Sequence, residues 1–273
     1  MTKLSLGVIV GLTDTPENLF APVREMGLTT CQLCSWSPNE LTPELLERTK
    51  AAASAAGVTI TLFWCGYSGP VAWDYIDGPA LTGLMPPEFR ASRTQELKRG
   101  VDIAVMLGVS DIATHVGFLP LDSKDNNYLG TVAALKEIAE YARDKGVYFN
   151  FETGQETPMV LLRCIQDIGM DNVGINLDPA NLLMYGNANP VDAMDVFGKY
   201  VRGVHAKDGE YPVDGYKLGV EKALGEGRVN FPALVAKLKA GGYTGALTIE
   251  REISGLKQID DIKKAMELLT PLL

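Results

Sequence analysis

Short apolar runs recur along the whole chain, each separated from the next by a longer stretch in which polar and apolar positions mix with the period of a helix. The runs cover 4–10 (LSLGVIV), 29–35 (TTCQLCS), 58–64 (VTITLFW), 110–116 (SDIATHV), 147–152 (VYFNFE), 173–178 (VGINLD), 200–205 (YVRGVH) and 245–250 (GALTIE). Near-continuous apolar character over so few residues is that of strands buried on both faces. Helices are predicted from Thr15 or Pro16 to Met26 with Thr15 as cap, over 43–56 up to Gly57, over 88–107 up to Gly108, and over 129–145 with Gly146 as the stop. Further helices are expected at 157–168, near 231–240 and near 257–270. Good helix formers, a capping hydroxyl at the start and a glycine just past the end mark these boundaries.

Strict alternation of strand and helix implies parallel strands joined by right-handed crossovers. Eight such units in 273 residues have the size of a closed (β/α)8 barrel, a TIM barrel, so the expectation is an α/β fold in one domain spanning 1–273. A doubly wound open sheet is the structural rival. The one long connection, 66–87, is rich in Gly, Pro and aromatics. It is expected to be a lid or a pocket wall over the active-site face, with Tyr67, Trp73, Tyr75 and Phe89 able to cover a ligand; a surface loop pinned by its aromatics is the alternative.

The formal charge of -9 argues against nucleic acid or an anionic membrane as partner, because either would require clustered Lys and Arg. The first apolar run is too short to span a bilayer and has no small-residue cleavage site after it, so it reads as a strand rather than a targeting segment. Four cysteines without a paired framework fit a reducing cytoplasm. Cys31 and Cys34 form a C-x-x-C, yet strand alternation turns their side chains to opposite faces, which disfavours a redox or zinc role.

Four runs end on a residue able to bind a metal: Glu152, Asp178, His205 and Glu250. A charged group in a strand interior would be expensively buried, whereas one at the carboxyl end of a barrel strand stands at the mouth, where such enzymes do their chemistry. Each taken singly has a bland alternative as a helix cap, a salt-bridge partner or a core histidine. Their coincidence on four strands points to one metal ion.

The segments NFETGQETP, NLDPANLL, VHAKDGE and TIERE resemble those of the sugar phosphate isomerase/epimerase family, the xylose isomerase-like barrels that include the tagatose and psicose 3-epimerases. The resemblance covers essentially the whole chain. It implies that Glu152, Asp178, His205 and Glu250 hold one divalent metal and that Glu152 and Glu250 also serve as acid and base. It further matches Glu156 to a substrate-binding glutamate of the family, with a helix cap as the alternative. Two positions depart from the epimerase pattern: Asn181 and Tyr211 stand where those enzymes carry a histidine and an arginine.

The chemistry also follows from the residue types. Three carboxylates and one imidazole make an oxygen-rich site that suits Mn2+ first, then Mg2+ or Co2+, and Zn2+ less well. A metal with open positions chelates the adjacent carbonyl and hydroxyl oxygens of a ketose or ketosugar and stabilises an enediolate, so that one carboxylate can remove a proton and the other return it. Isomerisation, epimerisation and elimination from a 3-keto sugar all begin in this way. Substrate contacts are expected from His115, Glu156, Asn181, Lys207, Trp36, Trp64 and Arg251, with packing or salt bridges as the alternative for each. The expected substrate is a small carbohydrate, and a homodimer or homotetramer would be in keeping with related barrels. Two readings lie outside this class. A non-catalytic sugar-binding module would have no need for four ligands on four strands. A barrel like endonuclease IV would need a histidine-rich three-zinc cluster, and this chain has only two histidines.

Overall fold

A computed structural model describes residues 4–273. Eight parallel strands close into a barrel: β1 (Ser5–Gly11), β2 (Thr30–Ser35), β3 (Thr59–Cys65), β4 (Asp111–Thr114), β5 (Tyr148–Glu152), β6 (Val173–Leu177), β7 (Val201–Ala206) and β8 (Ala246–Ile249). Closure is made by β1 pairing β8 in parallel, Val8 opposite Ile249, which rules out the open sheet. The helices lie between successive strands, and the main hydrophobic core fills the layer between them and the barrel.

Alternation along each strand sorts side chains between that layer and the barrel interior. Phe149 and Phe151 of β5, Ile175 and Leu177 of β6, Val204 and Ala206 of β7, and Leu247 and Ile249 of β8 belong to the outer core. The residues between and after them, Asn150, Glu152, Asn176, His205 and Thr248, are buried polar groups of the interior. Gly203 is required on this face: a Cβ there would stand 2.3 Å from Asn176 Oδ1. In the other half, Leu62 and Trp64 of β3 pack with Ala113 and Cys34 in a small separate apolar cluster, while Cys31 lies in the outer core. The C-x-x-C therefore does face two ways, and burial pushes the Cys31 thiol up to about 12 and, with Glu250, the Cys34 thiol up to about 11.

Several boundaries differ from the sequence expectation. The first helix is a 3-10 turn, Pro16–Asn18, followed by Ala21–Glu25, and Thr15 makes no side-chain cap; Pro22, which has no N–H, cannot carry one ladder through. The helix expected at 129–145 begins earlier, at Asn126, because Asp125 accepts from the N–H groups of Asn127 and Tyr128. The helical part of the sixth unit, not located from the pattern, is split into Pro179–Met184 and Pro190–Phe197, each opened by a proline behind an Asp or Asn cap. Between β7 and the helix Phe231–Ala240 the chain makes a hairpin, Asp208–Gly209 against Glu221–Lys222. The Gly-rich 224–229 stretch wraps the buried Asp208 carboxylate, which accepts from the N–H groups of Gly209, Gly225, Gly227 and Val229.

Candidate metal centre and active-site cavity

Four adjacent strands, β5 to β8, each deliver one residue to a single point. One donor atom from each of Glu152, Asp178, His205 and Glu250 lies within 4.8 Å of all the others. Opposite ligands of an octahedral ion with bonds of about 2.1 Å stand about 4.2 Å apart, so the cluster has the size of a one-ion site. Its placement follows from local structure. Asp178 caps the helix Pro179–Met184 through Oδ1, which accepts from Asn181 N–H at 2.9 Å. The Thr153 hydroxyl ties the ends of β5 and β6 together, donating to Asp178 O and accepting from Asp178 N–H, each at 2.8 Å. That leaves Asp178 Oδ2 free to face the centre.

The unpartnered atoms show that the set fits a cation. Asp178 Oδ2, His205 Nδ1 and Glu250 Oε2 are buried without a hydrogen-bond partner. His205 Nδ1 faces Glu152 Oε1 at 3.0 Å, Glu250 Oε2 at 3.1 Å and Asp178 Oδ2 at 3.7 Å. Its Nε2 lies 2.8 Å from Gln32 Oε1, and Gln32 is itself fixed by donating from Nε2 to Asn176 Oδ1 at 2.9 Å. Asn176 Nδ2 also lies 2.9 Å from His205 Nε2; in the tautomer whose Nε2 proton goes to Gln32, the Nδ1 lone pair is aimed at three carboxylates, an arrangement that a positive charge between them relieves. Burial pushes the His205 pKa down, but Glu152 and Glu250 outweigh it and hold it well above the usual imidazole value. A proton and a metal ion therefore compete for the same place.

The two glutamates stand at the ends of the four-strand arc and differ in surroundings. Glu152 is wholly buried; it accepts from Trp64 Nε1, and His115 Nε2 lies 3.6 Å from its Oε1. Burial would raise its pKa, but His115 and His205 hold it below the ordinary carboxylate value. The Glu250 side chain is 16% exposed against 3% for Glu152, and it opens into the cavity. There the upward push of burial is outweighed by Lys207 and His205, which bring it down to about 2. Lys207 is buried with Nζ 3.5 Å from Asp178, 3.4 Å from Glu250 and 2.9 Å from Glu252. Burial pushes its pKa down, and the same carboxylates return it well above the usual ammonium value.

Above this centre lies a cavity of about 370 Å3. Its wall on the β2–β4 side is aromatic: Trp64 beside Glu152, Trp36 with its ring centroid 4.6 Å from that of Trp64, and Trp73 at 5.0 Å from His115. Trp73 belongs to the 66–87 connection, which is a wall and not a free flap. Arg93, fully buried on the helix Pro87–Leu107, donates to the carbonyls of Ser68, Pro70, Leu81 and Gly83 and so clamps it. Tyr67 is buried under the clamp and accepts from Gly83 N–H, and Phe89 packs on the Arg93 guanidinium, so neither covers the cavity.

The sequence model of the xylose isomerase-like TIM barrel family matches residues 20–272. The chain belongs to this family. It is 35% identical to a xylose isomerase domain protein from Planctomyces limnophilus, whose crystal structure superposes with a TM-score of 0.92 over 98% of this chain and 97% of that one. It is 30% identical over 188 residues to an uncharacterized protein of Methanocaldococcus jannaschii, covering 63% of this chain and 59% of that protein. An L-ribulose 3-epimerase of Methylomonas sp. strain DH-1 is 25% identical over 175 residues, covering 60% of this chain and 57% of that enzyme. The matches thus span less than two thirds of either of these last two proteins.

Among the positions expected to contact substrate, Asn181, His115, Trp36 and Trp64 line the cavity, while Lys207 is buried behind its acidic side with Nζ 3.4 Å from Asn181 Oδ1. Two others stand farther from the cavity. Arg251 pairs with Glu221 at 2.8 Å and Asp261 at 2.9 Å, so its guanidinium braces the end of β8 against the hairpin and the last helix and does not reach the cavity. Glu156 is buried behind the wall, neither lining the cavity nor capping the helix, whose cap is the Thr157 hydroxyl on Val160 N–H. Burial, reinforced by Glu152, pushes its pKa up to about 8, which keeps it protonated at neutral pH. Sequence reading missed Gln32, Asn176, Gln155 and Tyr185, and did not place Cys34 at the cavity. For Gln32 and Asn176 a signal existed, a lone amide inside an apolar strand.

Proposed function

We propose that this barrel is a divalent-metal-dependent sugar isomerase or epimerase that moves a proton at the carbon beside a carbonyl of a ketose or ketosugar. The observation that carries the reading is the convergence of Glu152 and Glu250, from the two ends of a four-strand arc, on one cluster with Asp178 and His205. Three carboxylates and one imidazole favour Mn2+, with Mg2+ or Co2+ as acceptable substitutes. A bound ion would supply Lewis acidity toward the sugar's carbonyl and neighbouring hydroxyl oxygens.

The remaining work falls to the protein. Glu152 is locked by Trp64 and His205 and holds its carboxylate in one orientation, while Glu250 faces the open cavity. Both are held below the ordinary carboxylate range, so each is ionised at neutral pH and has a lone pair to accept a proton, and their separate strands let one act on each face of a trigonal carbon. Asn181, backed by the buried Lys207 ammonium, presents polar atoms to the sugar hydroxyls, and the tryptophan wall presents flat apolar faces to its ring. The 3-epimerase activity named for the Methylomonas relative agrees with this chemistry. Elimination from a 3-keto sugar is the second reading, favoured by the Lys207 ammonium beside Glu250, where a departing hydroxyl can be protonated.

The test is proton exchange followed by NMR: ketoses, aldoses and 3-keto sugars incubated in D2O with the protein, with and without Mn2+. Deuterium entering next to a carbonyl only with metal is the expected result, and the labelled carbon names the reaction. A metal-loaded protein that exchanges none of them would point to a phosphorylated or glycosidic substrate, or to a sugar-binding module.

A further inference from the structure

The tryptophan wall has a second side. Trp36 and Trp73 line the metal-side cavity and also a separate cavity of about 470 Å3, whose other walls include Asn39, Glu40, Ser68 and Val71. The two rings meet edge to face with centroids 6.0 Å apart and remain 48% and 40% exposed, far more than the buried Trp64. Half-exposed indole faces ringed by hydroxyl, amide and carboxyl groups combine an apolar platform with hydrogen-bonding partners, as a sugar ring requires.

This second cavity is built in advance. Buried Glu96 accepts from Asn39 Nδ2 at 2.9 Å and from Ser68 N–H at 2.8 Å, and the Arg93 clamp fixes the Ser68 and Pro70 carbonyls. Walls already ordered lose little freedom when a ligand arrives. Charge narrows the class. Among the described residues no Lys or Arg lines this cavity, while Glu40 and Glu96 do, so phosphate and carboxylate groups are repelled and a neutral polyol is accepted.

The geometry points to a second glycosyl subsite: the reacting sugar carries a further neutral ring that passes over the Trp36–Trp73 edge into this cavity. The assignment rests on reading the metal-side cavity as the place of sugar proton transfer. It makes the natural substrate a neutral glycoside or disaccharide instead of a free monosaccharide.

Isothermal titration of the Mn2+-loaded protein with fructose, maltulose and isomaltulose tests this, since the two disaccharides extend the same ketose with a glucosyl ring through different oxygens. At least one disaccharide should bind about ten-fold or more tighter than fructose. Val71→Trp, which fills only the second cavity, should bring the affinities together without weakening fructose; Ser37→Trp at its exposed rim does the same if Val71→Trp melts early. Equal binding of all three sugars, no binding of any, or a preference that survives both variants would overturn the subsite. Deuterium exchange, followed on fructose and on both disaccharides, reads the metal-side reaction alone. Exchange without a disaccharide preference sinks the subsite and spares the reaction, and preference without exchange does the reverse.

Discussion

The two sides of the barrel mouth handle buried polarity in opposite ways. On the β5–β8 side, Asp178 Oδ2, His205 Nδ1 and Glu250 Oε2 are buried and unpartnered, and four carboxylates crowd around one imidazole and one ammonium. On the side formed by β3 and the 66–87 segment, the two buried charges are used up: Arg93 on four carbonyls, Glu96 on Asn39 and Ser68. An unsatisfied buried polar group costs about 1–3 kcal/mol. The first side thus keeps donor atoms that a ligand can satisfy, and the second is a hydrogen-bonded frame beside it. On the proposed function, reactivity and rigidity fall to different strands.

That division can be tested by damaging one side at a time. Glu152→Gln and Glu250→Gln, nearly isosteric, should each lower proton exchange by about 10³-fold or more while leaving the thermal midpoint of the metal-free protein close to the parent's. A double variant that still exchanged substrate protons would defeat the mechanism. On the opposite side, Arg93→Ala frees four carbonyls beneath the tryptophan wall and should cost about 3 kcal/mol in denaturant unfolding. In kinetics it should raise KM more than it lowers kcat, since the wall binds and the carboxylates react.

Gln32→Leu tests the link between tautomer and metal. Without an acceptor for its Nε2 proton, His205 loses its fixed tautomer and orientation, and Mn2+ affinity measured by titration should fall about 10–100-fold with the fold retained. An unchanged affinity would mean that the amide serves packing alone.

Glu156 should show itself only as a dependence of stability on pH. Its folded pKa of about 8 lies above its ordinary value of 4.5, so the folded state keeps a proton that the unfolded chain releases between those values. Its contribution is present in full below about pH 4.5 and is lost as pH rises toward 8, at no more than about 1.4 kcal/mol per pH unit. Glu156→Gln cannot ionise, so its stability measured between pH 5.5 and 7.5 should decline less steeply than the parent's. Parallel curves would show that Glu156 ionises normally in the folded protein.

The barrel and the four cluster residues were legible in the sequence, because both rest on local order. Strand periodicity alternates side chains between two faces, and a charged residue where an apolar run stops must lie at a strand end; Glu152, Asp178, His205 and Glu250 are located by that rule alone. Tertiary structure decided which neighbours those residues have. Gln32 reaches His205 from a strand 173 positions away in the chain, and nothing local in TTCQLCS signals that partner. Arg251 sits one residue from Glu250 and yet turns away, because Glu221 and Asp261 compete for its guanidinium. The 66–87 stretch reads as a lid or a pocket wall or a pinned surface loop, and only the contacts of Arg93, from the following helix, show how it is held. Local pattern fixes which way a side chain points, but charge pairing and hydrogen bonding between distant segments depend on closure of the barrel, which sets distances that no stretch of sequence contains.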